Sequence, residues 1–495
     1  MQRILSAALL FLLASSLSGQ EALSLWQPSQ KSPGSWMELP ADALSNAIVQ
    51  VDSSLLAANK LLLLGDQTVL LGTPEKAFGG GWVTQAELIG DSDAEVLLAW
   101  NGSVVAASFR SSSRHFQLAW AGNGLHRVTE LPTTSGFRCG TDLSHAINTP
   151  KPEAAPGGGG PRHHESIDVL IVYTPQALLG HGGSSSSMNN AINLGVKQTN
   201  NTFANSGVNQ RIQLVHTAEM VGYTEKSGGS GFSSMLSELT NGSGVLSTAH
   251  TLRDQYGADF VTMLVANSSY GGVAWLMTNV SASFEKWAFN LVTQFSANRD
   301  WVLAHELGHN MGCAHDRQNS GGSGAYSYSY GYRTSGSPSY RTVMAYAPGT
   351  RLGRWSSPNV TYNGQTLGRA NQEENVRTLN NTYSTCENFR DKQPILAVPT
   401  LLAGFSSYIQ VFNTTPGDKV ILGLSLTGAG PTNTPYGSAL LTMPIHASPK
   451  LTADSAGEVN LNWNVPNSLK GLPAWFHAAN ITTGVLTNAE TRTVL

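Results

Sequence analysis

The sequence predicts an α/β domain with a mixed, twisted sheet over residues 163–390, flanked by a β-rich region over 20–162 and a β-sandwich-like module over 391–495. Three observations carry this. The chain has 495 residues, more than one hydrophobic core usually organises, so two or three units are expected. Only the middle region alternates strand-like apolar runs with helical spacing. The stretch from Ala154 to Arg162 is rich in glycine and proline and has no apolar periodicity, which marks a linker and a candidate processing site.

Taken in chain order, Met1-Gln2-Arg3 precedes an apolar run from Ile4 to Leu13 and small residues from Ala14 to Gly19. That is the layout of a cleavable export signal over 1–19, so a secreted, extracellular protein is expected. No later run approaches the roughly 20 apolar residues that span a bilayer. In the first region, Ala94 to Trp100 and Ser103 to Phe109 read as strands joined at Asn101-Gly102. In the middle, Ile167 to Tyr173, Arg211 to Val215 and Phe260 to Val265 read as strands, and Asn189 to Phe203 and Val245 to Tyr256 as helices. Residues 296–300 supply capping side chains ahead of a helix entered at Trp301. In the last region, Tyr408 to Phe412 and Val420 to Leu426 alternate with Pro and Gly turns. That module carries no catalytic constellation, and its partner is unknown.

Formal net charge is only -3, and charged residues make up 12% of the chain. Without a basic or acidic block, electrostatic capture of nucleic acid or of an anionic membrane is not expected.

The chemistry is concentrated in His305-Glu306-Leu307-Gly308-His309-Asn310-Met311-Gly312-Cys313-Ala314-His315-Asp316. On a helix, residues i and i+4 share a face, so His305 and His309 can grip one cation while Glu306 reaches a water beside it. Gly312 can adopt φ > 0 and end the helix, which lets His315 return as a third ligand. Three histidines leave one coordination position open, the arrangement of a catalytic zinc. One Zn2+ is therefore expected, with Glu306 as general base and then general acid in hydrolysis. Calcium is possible, but no motif indicates it.

This stretch resembles the metzincin metallopeptidases, whose signature ends in a downstream methionine turn, here Thr342-Val343-Met344-Ala345-Tyr346. Asp316 after the third histidine is similar to the reprolysin or adamalysin branch. Further similarities run from the strand at Ile167 to Asn388-Phe389-Arg390, and the bacterial peptidyl-Asp metalloendopeptidases are the group most resembled. The resemblance implies a metzincin catalytic domain at 163–390 and a β-rich propeptide at 20–162. It makes Met344 an apolar floor beneath the ligands and Gly272-Val273-Ala274 part of a substrate-binding edge strand. It also places Arg351 and Arg354 along the pocket for the side chain after the scissile bond, where a guanidinium would favour acidic residues. Tyr346 could hydrogen-bond the reacting carbonyl oxygen, or be a packed aromatic.

Three cysteines are an odd number, which in an oxidising compartment suggests one pair and one separate thiol. Cys313 and Cys386 bracket the motif loop and the last helix, and are expected as the disulfide. Cys139, in Arg138-Cys139-Gly140-Thr141-Asp142, is similar to the cysteine switch of metzincin zymogens, in which a thiolate closes the fourth zinc position. An intermolecular disulfide or an inert buried thiol are its alternatives. The expected function is a secreted zinc endopeptidase acting on proteins or peptides and made as a latent precursor. The alternative is a secreted binding or adhesion protein with a structural zinc site.

Overall fold

The computed structural model describes residues 22–31, 40, 42–133, 138–148, 166–390, 393–455 and 457–495. The expected export signal at 1–19 and the Gly-rich stretch at 154–162 lie outside these residues.

The first unit is an 11-stranded sheet. Leu23–Ser24 pairs with Leu61–Leu64 at one end of the strand order, while Trp26–Pro28 pairs with Ser45–Val51 at the other. These two pieces are consecutive in the chain, so the strand changes partner at the buried Leu25 and closes the sheet into a barrel. Leu62, Leu64, Val69, Val96, Leu98 and Phe109 fill the interior with Leu25. The Asn101-Gly102 hairpin forms in the register its sequence implies, joining Asp91–Asn101 to Val104–Arg110.

The middle unit carries a five-stranded sheet in the order Arg211–Glu219, Ser166–Tyr173, Phe260–Val265, Phe289–Thr293, Gly272–Ala274. Neighbours among the first four pair in parallel, and the short Gly272–Ala274 strand closes the edge antiparallel. Val169, Leu170, Ile171 and Val172 are all buried, as a parallel strand covered on both faces requires. One face packs on Gly228–Asn241 and Ser247–Gln255 through Phe232, Met235, Leu239 and Ala249. The other packs on Ser185–Ala204 and Val302–Asn310 through Ile192, Phe203, Leu303 and Leu307.

The motif helix differs from expectation at its start. It begins at Val302, its N-cap Trp301 is left-handed, and no side chain caps it. Asp300, the nearest capping candidate, instead gives its carboxylate to Arg110 of the barrel and Arg299 beside it. The last unit has two main sheets, one containing Ser406–Phe412 and Val459–Asn464, the other Lys419–Ser425, Pro473–Asn480 and Val485–Thr493, besides a small hairpin of Thr432–Thr434 and Gly437–Ala439. The two main sheets share a core of Ile409, Val411, Val420, Leu422 and Phe476.

The expected Cys313–Cys386 disulfide is not formed. Both are buried free thiols in the same apolar core, where burial chiefly, with Asp259 beside Cys386, pushes them up. Among the described residues, no helix is long and apolar enough to cross a membrane.

Candidate metal centre

Val302–Asn310 is wholly buried and puts His305 and His309 on one face. Gly312 takes φ 88, and an added Cβ there would lie 2.5 Å from Ala325, so both the turn and its packing exclude a side chain. The turn returns the chain along the strand Ala314–Asp316, which carries His315 to the face of the other two imidazoles.

The three rings converge. His305 Nε2 and His309 Nε2 each lie 3.1 Å from His315 Nε2. Two of the tautomers are fixed by carbonyls, because His305 Nδ1–H donates to Val343 O at 2.9 Å and His309 Nδ1–H to Cys313 O at 2.8 Å. In the neutral rings the Nε2 lone pairs therefore face one another, an arrangement that a shared cation satisfies. Cys139 Sγ stands 3.6 Å from His309 Nε2, and its Sγ and the three imidazole nitrogens fall within 4.8 Å of one another. A tetrahedral zinc with bonds of roughly 2.0–2.3 Å would set nitrogen and sulfur donors about 3.3–3.6 Å apart, so this donor set fits the ion.

Beneath the helix, Met344 and Trp355 are fully buried. A Cβ on Gly308 would meet Trp355 at 2.6 Å and Met344 Sδ at 3.1 Å, so the floor depends on glycine at that position. Asn310 ties the helix to the edge of the sheet, donating to Trp275 O at 2.9 Å and Phe289 O at 3.1 Å. Asp316 accepts from Tyr346 N at 3.0 Å and pairs with Arg333, fixing the methionine turn against the third histidine. The Tyr346 ring lies 4.5 Å from the His315 ring.

Glu306 is buried beside the imidazoles, and desolvation pushes its carboxyl up to about 8 despite the Cys139 hydrogen bond and the Arg351 charge. Its side chain lies against Gly272, where an added Cβ would sit 2.5 Å from Cγ. Burial, then the neighbouring Glu306, also push the Cys139 thiol up against the Thr141 hydrogen bonds, and a cation among the donors would favour the thiolate.

The segment around Cys139 covers the edge strand. Gly140 N donates to Gly272 O and Gly271 N to Arg138 O, each at 2.8 Å. Thr141 Oγ1 donates to Ala274 O at 3.1 Å and accepts from Ala274 N at 2.9 Å. Ala146–Ile147 continues the pairing, parallel to Leu276–Met277. Tyr346 Oη holds the same segment, donating to Cys139 O at 3.1 Å and accepting from Cys139 N at 3.2 Å. Val273 takes no part through its side chain, which is buried in the core behind the sheet.

The two arginines separate. Arg351 is buried against the centre, its Nη2 lying 2.9 Å from His305 Nδ1 and donating to Val343 O, the carbonyl that also accepts from His305 Nδ1–H. Burial, then the charge of Arg341, bring it down to about 9. Arg354 is not brought to the centre, because its guanidinium bonds to Asn205 O at 3.0 Å and stacks over Tyr362. Sequence reasoning missed Thr141, Asn310 and the Asp316–Tyr346 bond; the position of Asn310 directly after His309 was the available signal.

The model of metallopeptidase family M12 matches residues 163–356. A peptidyl-Asp metalloendopeptidase of Xanthomonas campestris pv. campestris is 30% identical over 384 residues, covering 71% of this chain and 88% of that protein. One of Stenotrophomonas maltophilia strain R551-3 is 31% identical over 316 residues, covering 61% of this chain and 72% of the relative. Among solved structures, a chaperone–substrate complex aligns with 46% of this chain and 36% of its own at 20% identity and a TM-score of 0.35, too low to bear on the fold. On the sequence relatives and the family model, this chain belongs to the peptidyl-Asp metalloendopeptidases of the M12 metallopeptidase family, and it is a metalloendopeptidase.

Proposed function

We propose that the protein is an exported zinc endopeptidase, held latent by its own N-terminal region and cutting proteins or peptides ahead of acidic residues. One observation carries the reading. Three imidazole Nε2 atoms converge, with Cys139 Sγ beside them and Glu306 next to the cluster. His305, His309 and His315 would hold the zinc, and Cys139 would be the fourth ligand of the latent form. Held there, zinc would supply Lewis acidity toward a peptide carbonyl and lower the pKa of a water.

The chain's own groups do the rest. Glu306, beside the imidazole cluster, takes the proton of the attacking water and returns it to the departing amine. Tyr346 Oη, now bonded to the Cys139 backbone, is freed when that segment leaves and can hold the substrate's carbonyl oxygen. An extended substrate takes the place of residues 138–147 on Gly272 and Ala274. Removal of the signal and a cut within 154–162 complete maturation.

The acidic preference is assigned to Arg351, whose guanidinium stands beside the imidazole cluster and would attract a carboxylate. It accords with the activity for which the relatives are named.

A peptide library incubated with chain cut in the linker tests the reading, alongside Glu306→Ala and chelator-treated samples. Hydrolysis lost in both controls is expected; hydrolysis surviving Glu306→Ala would overturn the mechanism. Arg351→Ala should lower the ratio of kcat/KM before Asp to that before Leu about tenfold or more, while Arg354→Ala leaves it unchanged. An unaltered ratio in Arg351→Ala would remove this residue from specificity.

A further inference from the structure

The barrel touches the middle unit at a second place, on the helix Ser185–Ala204 and on the turn that leads into the motif helix. The apolar part of this contact is Leu194 of the helix set among Val83, Leu97, Ala99 and Ala106 of the barrel, with Phe78 of the barrel packed on the core of the middle unit. Polar bonds surround it. Asn190 donates to Val104 O at 2.8 Å, Asn193 to Phe78 O at 3.0 Å and Gln198 to Glu95 at 2.6 Å. Three ion pairs cross the contact, Lys197–Glu75 at 2.7 Å, Arg110–Asp300 at 2.5 Å and Arg299–Asp42, whose Nη1–Oδ1 distance is 2.9 Å.

An interface of this kind is made to separate. A permanent one is normally more apolar than the surface around it, whereas here Leu194 on the helix face is surrounded by Asn190, Asn193, Lys197 and Gln198, side chains at home in water. The barrel closes around its own core, to which the middle unit contributes no residue. Asp300 keeps Arg299 as a partner when Arg110 departs.

From these contacts we infer that the N-terminal barrel is a dissociable protein partner of the catalytic unit, docked by charge at a surface independent of Cys139. Cutting the linker then leaves a non-covalent complex that separates on dilution, and salt weakens it chiefly through the exposed Lys197–Glu75 pair, the buried Arg110–Asp300 pair being screened less. The inference rests on the proposed latency, yet its readout is association, so the two can fail separately.

The experiment uses the full chain with a site for a sequence-specific protease placed within 157–160, cut after purification, in wild-type and Cys139→Ala backgrounds. Sedimentation at low and at about 1 M salt gives the dissociation constant, since the Debye length falls to about 3 Å at the higher value. In both backgrounds the barrel should stay bound at low salt and bind more weakly at high salt. Arg110→Ala should weaken binding at least tenfold. Glu75→Lys, at an exposed position that spares the barrel core, should weaken it several-fold, with rescue by Lys197→Glu. Release at low salt on cutting, or by Cys139→Ala alone, would overturn the inference. So would binding indifferent to salt and to both charge variants.

Discussion

The catalytic unit is gripped in two places that are built from different materials. At the cleft, residues 138–147 bind chiefly through main-chain bonds to the edge strand and through one thiol. At the back, the barrel binds through side chains matched in charge to their partners. Main-chain bonds are sequence-tolerant, so under the proposed function an extended peptide would replace the first grip, as a substrate cleft needs. Charged pairs are specific to their partner and sensitive to salt, which suits a surface that recognises one domain only. On the proposed reading, generality lies where substrates would enter and specificity where they would not.

The largest test of this division is Cys139→Ala in uncut chain. If the thiol closes the centre, peptide hydrolysis should rise toward that of cut protein by about 100-fold or more, with the barrel still docked. A variant as silent as wild type would mean that the cleft is blocked by main-chain pairing alone.

The back grip should respond to acid. His115 lies against Arg110 Nη1 at 3.2 Å and faces Asp300 and Arg299, and burial, then the Arg110 charge, lower it to about 4. Its folded value lies below the ordinary 6.5, so the unfolded barrel binds the proton more readily. Stability is full above about pH 6.5 and falls as the pH drops toward 4, by at most about 3 kcal/mol from this group. Thermal melts across that range should show the decline, and His115→Gln should flatten part of it. An unchanged slope in that variant would assign the decline to other groups.

The smallest expected effect sharpens the cleft side. Gly272→Ala places a methyl against Glu306, and overpacking of this kind costs about 1–3 kcal/mol. The expected result is a fall in kcat greater than any rise in KM, with metal content preserved. A change in KM alone would mean that Gly272 serves only substrate pairing.

Much of the fold was legible because its signals are local. The hairpin at Asn101-Gly102 and the helix read at Asn189 to Phe203, which runs from Ser185 to Ala204, follow from turn chemistry and apolar spacing. The helix Gly228–Asn241 was missed because its glycine- and serine-rich start hides an apolar face of Phe232, Met235, Leu236 and Leu239. The capping expected from Ser296 to Asp300 failed for a non-local reason, since an arginine 190 residues away takes the Asp300 carboxylate. The disulfide expectation rested on counting, and counting carries no information about oxidation state in a buried core.

By itself, the sequence determined the donor types, their spacing along one helix and the glycine that returns the third histidine, because each depends on a few neighbouring residues and on backbone geometry. Only the tertiary structure decided which distant groups meet them. It brought Cys139 and Tyr346 to the cluster, set Arg351 under His305 and turned Arg354 away, and joined Arg110 to Asp300. Those pairings follow from how sheets close and pack, which puts residues far apart in the chain within bonding distance and leaves no periodic trace in the sequence.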